Sequence, residues 1–336
     1  MNYPVNNINQ CKQDKLHPYS HNQLRFASDL ASLYRTWIDC ERKLAEFGGR
    51  LVWKTISGKE YLYVLTDASN NGRSLGPASS ATQAIFDRNK LLKATQLSLK
   101  AELAPICSTY RLLRMPIILA DAANVLRAAD KRGVLGRDVW VVGTHALLAY
   151  QLEANAAFPG THETRDFDLT WAGEISHAQP VLMPMLKAVD STFTINQERT
   201  FQARNAKAFE VELLVGTSAK QRAAVKREAL QPIPLPEQNW LLEGKPVDQV
   251  LCGSNGKAAR IVSPDPRWFA LHKMWLSEKP ERDPMKKPKD RNQAILVWRA
   301  VREFMPHYAI DRALERALPQ ALRRPFQQLQ ESLDGL

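Results

Sequence analysis

Asp166 and Asp168 stand two positions apart in the segment TRDFDLTW, and this pair constrains the fold more than any other feature of the sequence. Polar and apolar residues alternate here as in a β-strand, on which every second side chain leaves the same face. Two carboxylates held so close together repel one another. A buried pair therefore needs a cation, and its hard oxygen ligands suit Mg²⁺ or Mn²⁺. The segment predicts a strand that carries a divalent-metal site; a solvated strand, or pairing of one aspartate with Arg165, is the alternative interpretation.

The segment VWVVGTHALLAYQLEA precedes this strand. Its continuous apolar run predicts a short buried strand, Gly143 and Thr144 interrupt the run, and apolar residues then recur at helical spacing. A turn that opens a helix presents free backbone N–H groups and the positive end of the helix dipole, which together bind phosphate. Gly143 and Thr144 are therefore predicted to bind a nucleotide through its phosphates. His145 either faces the nucleotide or is a surface or capping-region residue in the first turn of the helix.

A further acidic group follows in FEVELL, whose alternation predicts another strand, joined to FQAR by a turn at residues 205–207. Glu210 and Glu212 share one face of that strand. We prefer Glu212 as the third carboxylate because the apolar run after it is typical of a central, buried strand. Three carboxylates on neighbouring strands can hold two divalent ions, one activating a hydroxyl and one binding phosphates. Asp166, Asp168 and Glu212 are thus the predicted metal ligands and catalytic residues.

The rest of the chain predicts an α/β (α+β) fold built around a small mixed β-sheet. Residues 1–22, rich in Asn, Gln and His, predict a disordered tail, and residues 23–115 predict a helical region with a β-hairpin. Residues 116–245 form the expected catalytic core. Residues 246–336 predict a second hairpin and a helical module that closes over the nucleotide. Within that module the segment 279–291 contains three prolines and is predicted to be a loop.

Charge and composition narrow the choice of partner. Lys and Arg outnumber Asp and Glu by 46 to 35, a net charge of +11 that favours polyanions such as nucleotides or RNA, although a solvated basic surface is the plain alternative. The four cysteines lack zinc-site spacing and predict reduced, mostly buried thiols. No run of 18 apolar residues and no signal-peptide core are present, so no membrane partner and a cytoplasmic location are expected.

The order of these motifs resembles a known superfamily. A strand, Gly-Thr and a helix, then RDFDL and later VELL, are similar to the nucleotidyltransferases that include DNA polymerase β, tRNA nucleotidyltransferases and abortive-infection-type toxin enzymes. The chain also looks like bacterial proteins described only as nucleotidyltransferases, in which a WKT-x-x-GKEYLYV-like hairpin and a GRSLGP-like turn precede the catalytic domain. In those proteins an FALHK-x-W-L-S helix and a KDR-x-QA segment follow it. The resemblance covers about residues 50–300.

The resemblance implies further residue roles. Lys273, within FALHKMW, would approach the triphosphate, and Asp290, within KDRNQA, would orient that lysine. It also implies the phosphate and metal roles given above to the Gly-Thr turn and the three carboxylates. The chain departs from the superfamily pattern in two ways. Twenty-one residues separate Thr144 from Asp166, more than is usual, and a glutamate stands at position 212 where aspartate is commoner.

Together these features predict transfer of a nucleoside monophosphate from ATP or another NTP to an acceptor hydroxyl, with release of pyrophosphate. The expected cofactor is Mg²⁺ or Mn²⁺, and the acceptor is RNA such as tRNA, or another molecule. A non-catalytic nucleic-acid-binding or antitoxin-like protein on the same fold, and a metal-dependent phosphohydrolase, are the alternatives. Arg165 and Arg204 suit phosphate, although ordinary salt bridges account for them equally well. His272 lies at helical spacing among tryptophans and predicts a packed histidine.

Overall fold

A computed structural model of the chain describes residues 15–160, 166–173, 175–217 and 230–334. The strands, in chain order, are β1 His17–Pro18, β2 Arg50–Ile56, β3 Lys59–Leu65, β4 Gly72–Pro77, β5 Ile117–Ile118, β6 Val139–Val141, β7 Ala156–Ala157, β8 Asp166–Trp171, β9 Thr194–Ile195, β10 Gln202–Arg204, β11 Glu210–Val215, β12 Ile233–Pro234, β13 Val247–Gly253 and β14 Ala258–Ser263. The α-helices are α1 His21–Ala45, α2 Ser80–Leu112, α3 Ala120–Lys131, α4 Ala146–Glu153, α5 Ile175–Val189, α6 Pro266–Glu278, α7 Lys287–Phe304, α8 Arg312–Ala317 and α9 Gln320–Asp334. Short 3₁₀ turns lie at Gly143–His145 and Pro236–Leu242.

The first helix, α1, begins at His21, three residues before Leu24, the first apolar residue of its helical periodicity. Ser20 caps it, because the Ser20 hydroxyl accepts from the Gln23 backbone N–H while the Gln23 side chain accepts from the Ser20 N–H. Ahead of the cap, β1 pairs with β7, and Leu16 and Tyr19 are buried. Residues 15–22 are therefore part of the fold and not of the tail predicted for residues 1–22. The tail prediction for residues 1–14 lies outside the described residues.

Strands β2, β3 and β4 form an antiparallel sheet of their own. Ser57 and Gly58 both have positive φ, as a two-residue turn between antiparallel strands requires, and the predicted hairpin is confirmed. The GRSLGP segment that follows this hairpin was expected to be a turn only. It instead continues into β4, which pairs with β3, because the chain reverses at residues 66–71 and returns along the same sheet.

The central sheet has the strand order β6-β8-β11-β10-β9, with β12 beside the end of β11. Strand β8 runs parallel to β11 and antiparallel to β6, so the sheet is mixed. Phe167, Leu169 and Trp171 alternate along β8 and are fully buried, which places their face in the hydrophobic core and the aspartates on the other face. The described part of the chain thus combines helices with a mixed sheet, and the predicted α/β fold class is confirmed.

The second predicted hairpin is also present, as β13 and β14 joined through Asn255 and Gly256. Strand β13 pairs in parallel with β5, and helices α3 and α4 pack on the hairpin. The hairpin is thus attached to the middle of the chain. The sequence grouped it with the C-terminal helices because nothing local to residues 247–263 indicates a partner near residue 117.

The C-terminal helices pack mainly on one another, with α6 along α7 and α9 against both. Asp265 caps α6 by accepting from the Arg267 backbone N–H, and a proline occupies the first turn. Helix α7 begins at Lys287, so the loop predicted for residues 279–291 ends at residue 286. Proline is compatible with a first helical turn, and Pro288 stands there without interrupting α7.

The three cysteines within the described residues are buried free thiols, as predicted, at positions 40, 107 and 252. Cys11 lies outside those residues. Within the described part of the chain, no helix combines the length and apolarity needed to span a bilayer.

Candidate active site

Four acidic side chains lie on one face of the central sheet, on the adjacent strands β8 and β11. In the parallel register Glu210 is the partner of Asp166, and Glu212 is the partner of Asp168. Paired residues on neighbouring strands share a face, and so do residues two apart on one strand. The structure therefore brings Asp166, Asp168 and Glu212 together on one side of the sheet and places Glu210 beside them. We refer to these four residues as the acidic face.

Burial and the repulsion of neighbouring carboxylates disfavour ionisation of Asp168 and Glu212. The pKa of Asp168 is raised to about 7, first by burial and then by the negative charge of Glu212, while the charge of Lys273 opposes the rise. Burial also raises the pKa of Glu212. Gln202, on β10, donates its amide to Glu210 at 3.1 Å and to Glu212 at 3.0 Å. Neighbouring carboxyl groups with raised pKa values are characteristic of functional sites, and a bound cation would relieve their repulsion.

The turn between β6 and α4 lies directly against this face. Gly143 has a φ of +66°, and a Cβ atom at this position would overlap the Oδ2 atom of Asp168 and lie 2.9 Å from its Cγ. The Val142 N–H donates to the Asp168 carbonyl oxygen at 3.0 Å, which fixes the approach. Thr144 follows, and its hydroxyl accepts a hydrogen bond from the Gln293 side chain of α7 at 3.2 Å. Only glycine at position 143 allows the turn and Asp168 to lie this close.

Lys273 and Asp290 form a buried ion pair with 2.7 Å between Nζ and Oδ1. Arg282 binds the other carboxylate oxygen of Asp290 at 2.6 Å. Asp290 is 2% exposed and Lys273 is 7% exposed, so the lysine is held in one orientation. The contact that the resemblance implied between Lys273 and Asp290 is therefore present, and Arg282 is an additional partner that the sequence did not indicate.

Two lysines missed by the sequence analysis stand near the acidic face, at the start of α7. The charge of Lys286 acts against burial and lowers the pKa of both Asp168 and Glu212. Burial and then the charge of Lys273 lower the pKa of Lys289, and the charge of Asp168 opposes this. Within the described residues neither Lys286 nor Lys289 forms an ion pair. A spacing of three residues places two side chains side by side only in a helix. Because this segment was predicted to be a loop, the spacing of Lys286 and Lys289 did not indicate that they lie together.

His145 is buried next to the acidic face. Its ring meets the ring of Phe167 edge-on, with 5.2 Å between centroids. Burial and, to a smaller extent, the positive charge of Lys289 lower the pKa of His145 to about 4, so the imidazole is neutral at pH 7. No hydrogen-bond partner for its buried Nδ1 atom is found among the described residues. His145 is therefore an interior residue and not the surface residue that one interpretation of the sequence allowed.

Two of the remaining candidate residues, His272 and Arg204, make ordinary packing or ion-pair contacts. The ring of His272 is stacked on Trp275, as expected for a packed histidine. The guanidinium of Arg204 lies 3.6 Å from a carboxylate oxygen of Glu210, which agrees with the salt-bridge interpretation. Arg165, the other arginine considered for phosphate, lies outside the described residues.

The side chains of this site suit a divalent cation, although they do not form a complete cage around one. Within the described ranges, no three His, Cys, Asp or Glu side chains form a group that could hold a metal ion as they stand. Mg²⁺ usually keeps several water ligands and takes only one or two carboxylates directly, so a complete protein cage is not needed. Asp168 and Glu212 are adjacent carboxylates with raised pKa values, and Asp166 shares their face. These residues fit a partly hydrated divalent ion.

The site thus combines a mixed α/β sheet, paired carboxylates and an adjacent Gly-Thr turn. Residues 120–319 match a family model described as Nucleotidyltransferase. The match spans more than half of the chain, so the chain belongs to this family. It contains β6, β8, β11, α6 and α7, and hence every residue that the sequence analysis assigned to the site.

Among solved structures, the chain is similar to the crystal structure of an antigenic nucleotidyltransferase-like protein from Paracoccidioides brasiliensis. The two are 17% identical, the similarity covers 65% of this chain and 91% of that chain, and the TM-score is 0.39. No curated protein matches the chain. The family assignment therefore rests on the match over residues 120–319.

Proposed function

We propose that the protein transfers a nucleoside monophosphate from an NTP to an acceptor hydroxyl. In this reaction the acceptor oxygen bonds to the α-phosphorus, the bond from the α-phosphorus to the bridging β-phosphate oxygen breaks, and pyrophosphate leaves. The observation that supports this most is the placement of Asp166, Asp168 and Glu212 on one face, in register, against a glycine turn. Such a site accelerates transfer mainly by positioning the reactants and by neutralising charge.

The chain supplies cationic and backbone groups for the triphosphate on two sides of the acidic face. Gly143 and Thr144 would bind phosphate oxygens through backbone N–H groups and the Thr144 hydroxyl, at the start of α4. Lys286 and Lys289 would add positive charge from α7. Both are free of carboxylate partners within the described residues, whereas Lys273 is already paired. Lys273 would therefore position the phosphates at longer range, with Lys286 and Lys289 in contact with them.

Asp166, Asp168 and Glu212 would hold Mg²⁺ or Mn²⁺. Divalent ions, when bound there, would neutralise phosphate charge and lower the pKa of the acceptor hydroxyl. Gln202 keeps Glu212 in place through its 3.0 Å hydrogen bond, and the Gly143 turn keeps Asp168 in place. The role of Glu212 is preferred over that of Glu210, which shares Gln202 but also lies against Arg204.

Label transfer from α-³²P-labelled NTPs tests the proposal. The full-length protein is incubated with each NTP and Mg²⁺, separately with total RNA, with total protein and with small hydroxyl compounds. Asp166→Ala/Asp168→Ala is compared with Asp29→Ala, which removes an exposed acid on α1. We expect transfer by the wild type and by Asp29→Ala, and a loss of at least about 100-fold in the double variant, because metal affinity depends on these ligands.

Two other results would contradict the proposal. Release of phosphate without transfer of label, abolished in the double variant, would indicate a phosphohydrolase that uses the same acids. Binding of RNA or DNA that the double substitution leaves unchanged, without any transfer, would indicate a non-catalytic nucleic-acid-binding protein.

A further inference from the structure

A cavity of about 610 Å³ lies behind the Gly143–Thr144 turn. Its walls come from the start of α4, from the end of α2 and β5, and from the segment around β7. Cavities of this size hold small organic molecules. None of the roles proposed above uses this space.

The cavity adjoins the turn that contacts the acidic face. Thr144 and His145 form part of its wall, and Gly143, the preceding residue, is in direct contact with Asp168. His145 also packs on Phe167, the residue between the two aspartates. His145 is 6% exposed, and its Nδ1 atom has no hydrogen-bond partner within the described residues. A molecule that contacts Thr144 in the cavity would therefore lie next to the residue that touches Asp168.

Two cationic side chains also line the cavity. Arg111 and Arg114, at the end of α2 and just beyond it, are both exposed. Within the described part of the chain neither arginine is paired with a carboxylate. The rest of the wall is mainly apolar and includes Met115, Leu148 and Phe158. The lining thus suits a molecule with an apolar body and one anionic group.

This combination distinguishes an acceptor from a nucleotide. The anionic end of an NTP is its triphosphate, which on the proposed function lies at the acidic face with the divalent ion and the lysines of α7. The base at its opposite end is neutral and would leave both arginines without a partner. An anion at Arg111 and Arg114 requires a different molecule.

We propose that this cavity binds the acceptor, a small molecule with an apolar body whose anionic group pairs with Arg111 and Arg114 and whose hydroxyl lies beside Thr144 and His145. The inference rests on the proposed function for the fate of that hydroxyl. Its oxygen bonds to the α-phosphorus, its proton passes to solvent, and pyrophosphate leaves. Binding of the anion itself does not depend on catalysis and can be measured separately.

The test uses two fluorescent probes that share an aromatic body and differ in charge. 8-Anilinonaphthalene-1-sulfonate is anionic, and N-phenyl-1-naphthylamine lacks the sulfonate. Both are titrated into the full-length protein, into Arg111→Ala/Arg114→Ala and into Arg88→Ala, which removes an exposed arginine from the same helix near its other end. Leu148→Trp, which fills the cavity, is a second variant. Thermal melting shows that each variant is folded.

We expect saturable, one-to-one binding of the sulfonate by the wild type and by Arg88→Ala. The double arginine substitution should weaken it about three- to tenfold and leave the neutral probe unaffected, and Leu148→Trp should weaken both probes. Saturating ATP with Mn²⁺ should leave sulfonate binding unchanged. The sulfonate should inhibit label transfer, and the double arginine variant should transfer label poorly while still binding ATP.

Different outcomes refute different claims. Displacement of the sulfonate by ATP would place the nucleotide base in the cavity and overturn the inference. Normal label transfer by a wild type that does not bind the sulfonate would also overturn it and leave the proposed function intact. Arginine-dependent sulfonate binding without label transfer to any acceptor would overturn the proposed function and, with it, the acceptor role.

Discussion

Replacement of Gly143 by alanine tests whether the turn and Asp168 must lie as close as the structure places them. The added Cβ would overlap Oδ2 of Asp168 and lie 2.9 Å from Cγ, so the carboxylate or the turn has to move. A positive φ adds a backbone cost of about 1–2 kcal/mol for any residue with a Cβ. Displacement of a group that orients a metal ligand lowers metal affinity about 10- to 100-fold. Gly143→Ala should therefore weaken Mn²⁺ binding by that factor and lower the free energy of unfolding.

Gly133 provides a matched control. Its φ is +68°, close to the +66° of Gly143, and a Cβ at Gly133 would meet no atom within 4 Å. Gly133→Ala should show the backbone cost alone, about 1–2 kcal/mol in the free energy of unfolding, with unchanged Mn²⁺ affinity. The difference between the two variants then isolates the contact with Asp168.

Electron paramagnetic resonance of free Mn²⁺ gives the affinity, and urea unfolding gives the stability of the same samples. Equal Mn²⁺ affinities for Gly143→Ala and Gly133→Ala would refute the reasoning, because they would show that Asp168 can move away from the turn without consequence for the metal. Reduced affinity in both variants would also refute it, since the effect would then belong to the backbone and not to the contact.

Three further predictions concern the surrounding scaffold. Asp290→Ala should lower the free energy of unfolding by about 3–5 kcal/mol in urea, because it leaves Lys273 buried without its partner, and a loss below about 1 kcal/mol would contradict this. Burial lowers the pKa of His272 in the folded protein to about 3, whereas histidine in the unfolded chain has a pKa of about 6.5. Below about pH 6.5 the unfolded chain therefore binds more protons than the folded protein. The free energy of unfolding, relative to that of His272→Phe, should fall as pH drops from about 6.5, by up to about 1.4 kcal/mol per pH unit. Parallel pH profiles for the two proteins would exclude that linkage. Asp130→Ala should likewise cost about 3–5 kcal/mol, because this fully buried carboxylate pairs with Arg260 at 2.9 Å, and a cooperative urea transition at the wild-type midpoint would rule that out.

Local patterns in the sequence were enough to predict the elements that carry the site. Alternation of polar and apolar residues in TRDFDLTW and FEVELL predicted strands β8 and β11. The apolar run that ends at Gly143 predicted strand β6 and the turn after it. The common face of Asp166 and Asp168 follows from the period of a strand alone. The side-by-side placement of Glu212 and Asp168 does not, because it depends on the parallel register between β8 and β11, which is a property of two distant segments.

The lysines of α7 show a different reason for failure. Three prolines and a mixture of charges in residues 279–291 are typical of a loop. Pro288 lies in the first turn of α7, where proline costs the helix nothing, so Lys289 and Asp290 are helical. Arg282, the second partner of Asp290, could not be found from spacing because the loop brings it back to α7. Such contacts depend on how the chain folds back, which periodicity does not encode.

The central claim is that Asp166, Asp168 and Glu212 hold a divalent ion beside the Gly143 turn. A crystal structure of the protein with Mn²⁺ and a non-hydrolysable NTP analogue tests it most directly, since manganese is located by its anomalous scattering. We predict a manganese peak at coordination distance, about 2.1 Å, from carboxylate oxygens of Asp168 and at least one of the other two residues, with the triphosphate on the turn. A nucleotide bound with its phosphates elsewhere, or a manganese peak remote from all three carboxylates, would contradict the account.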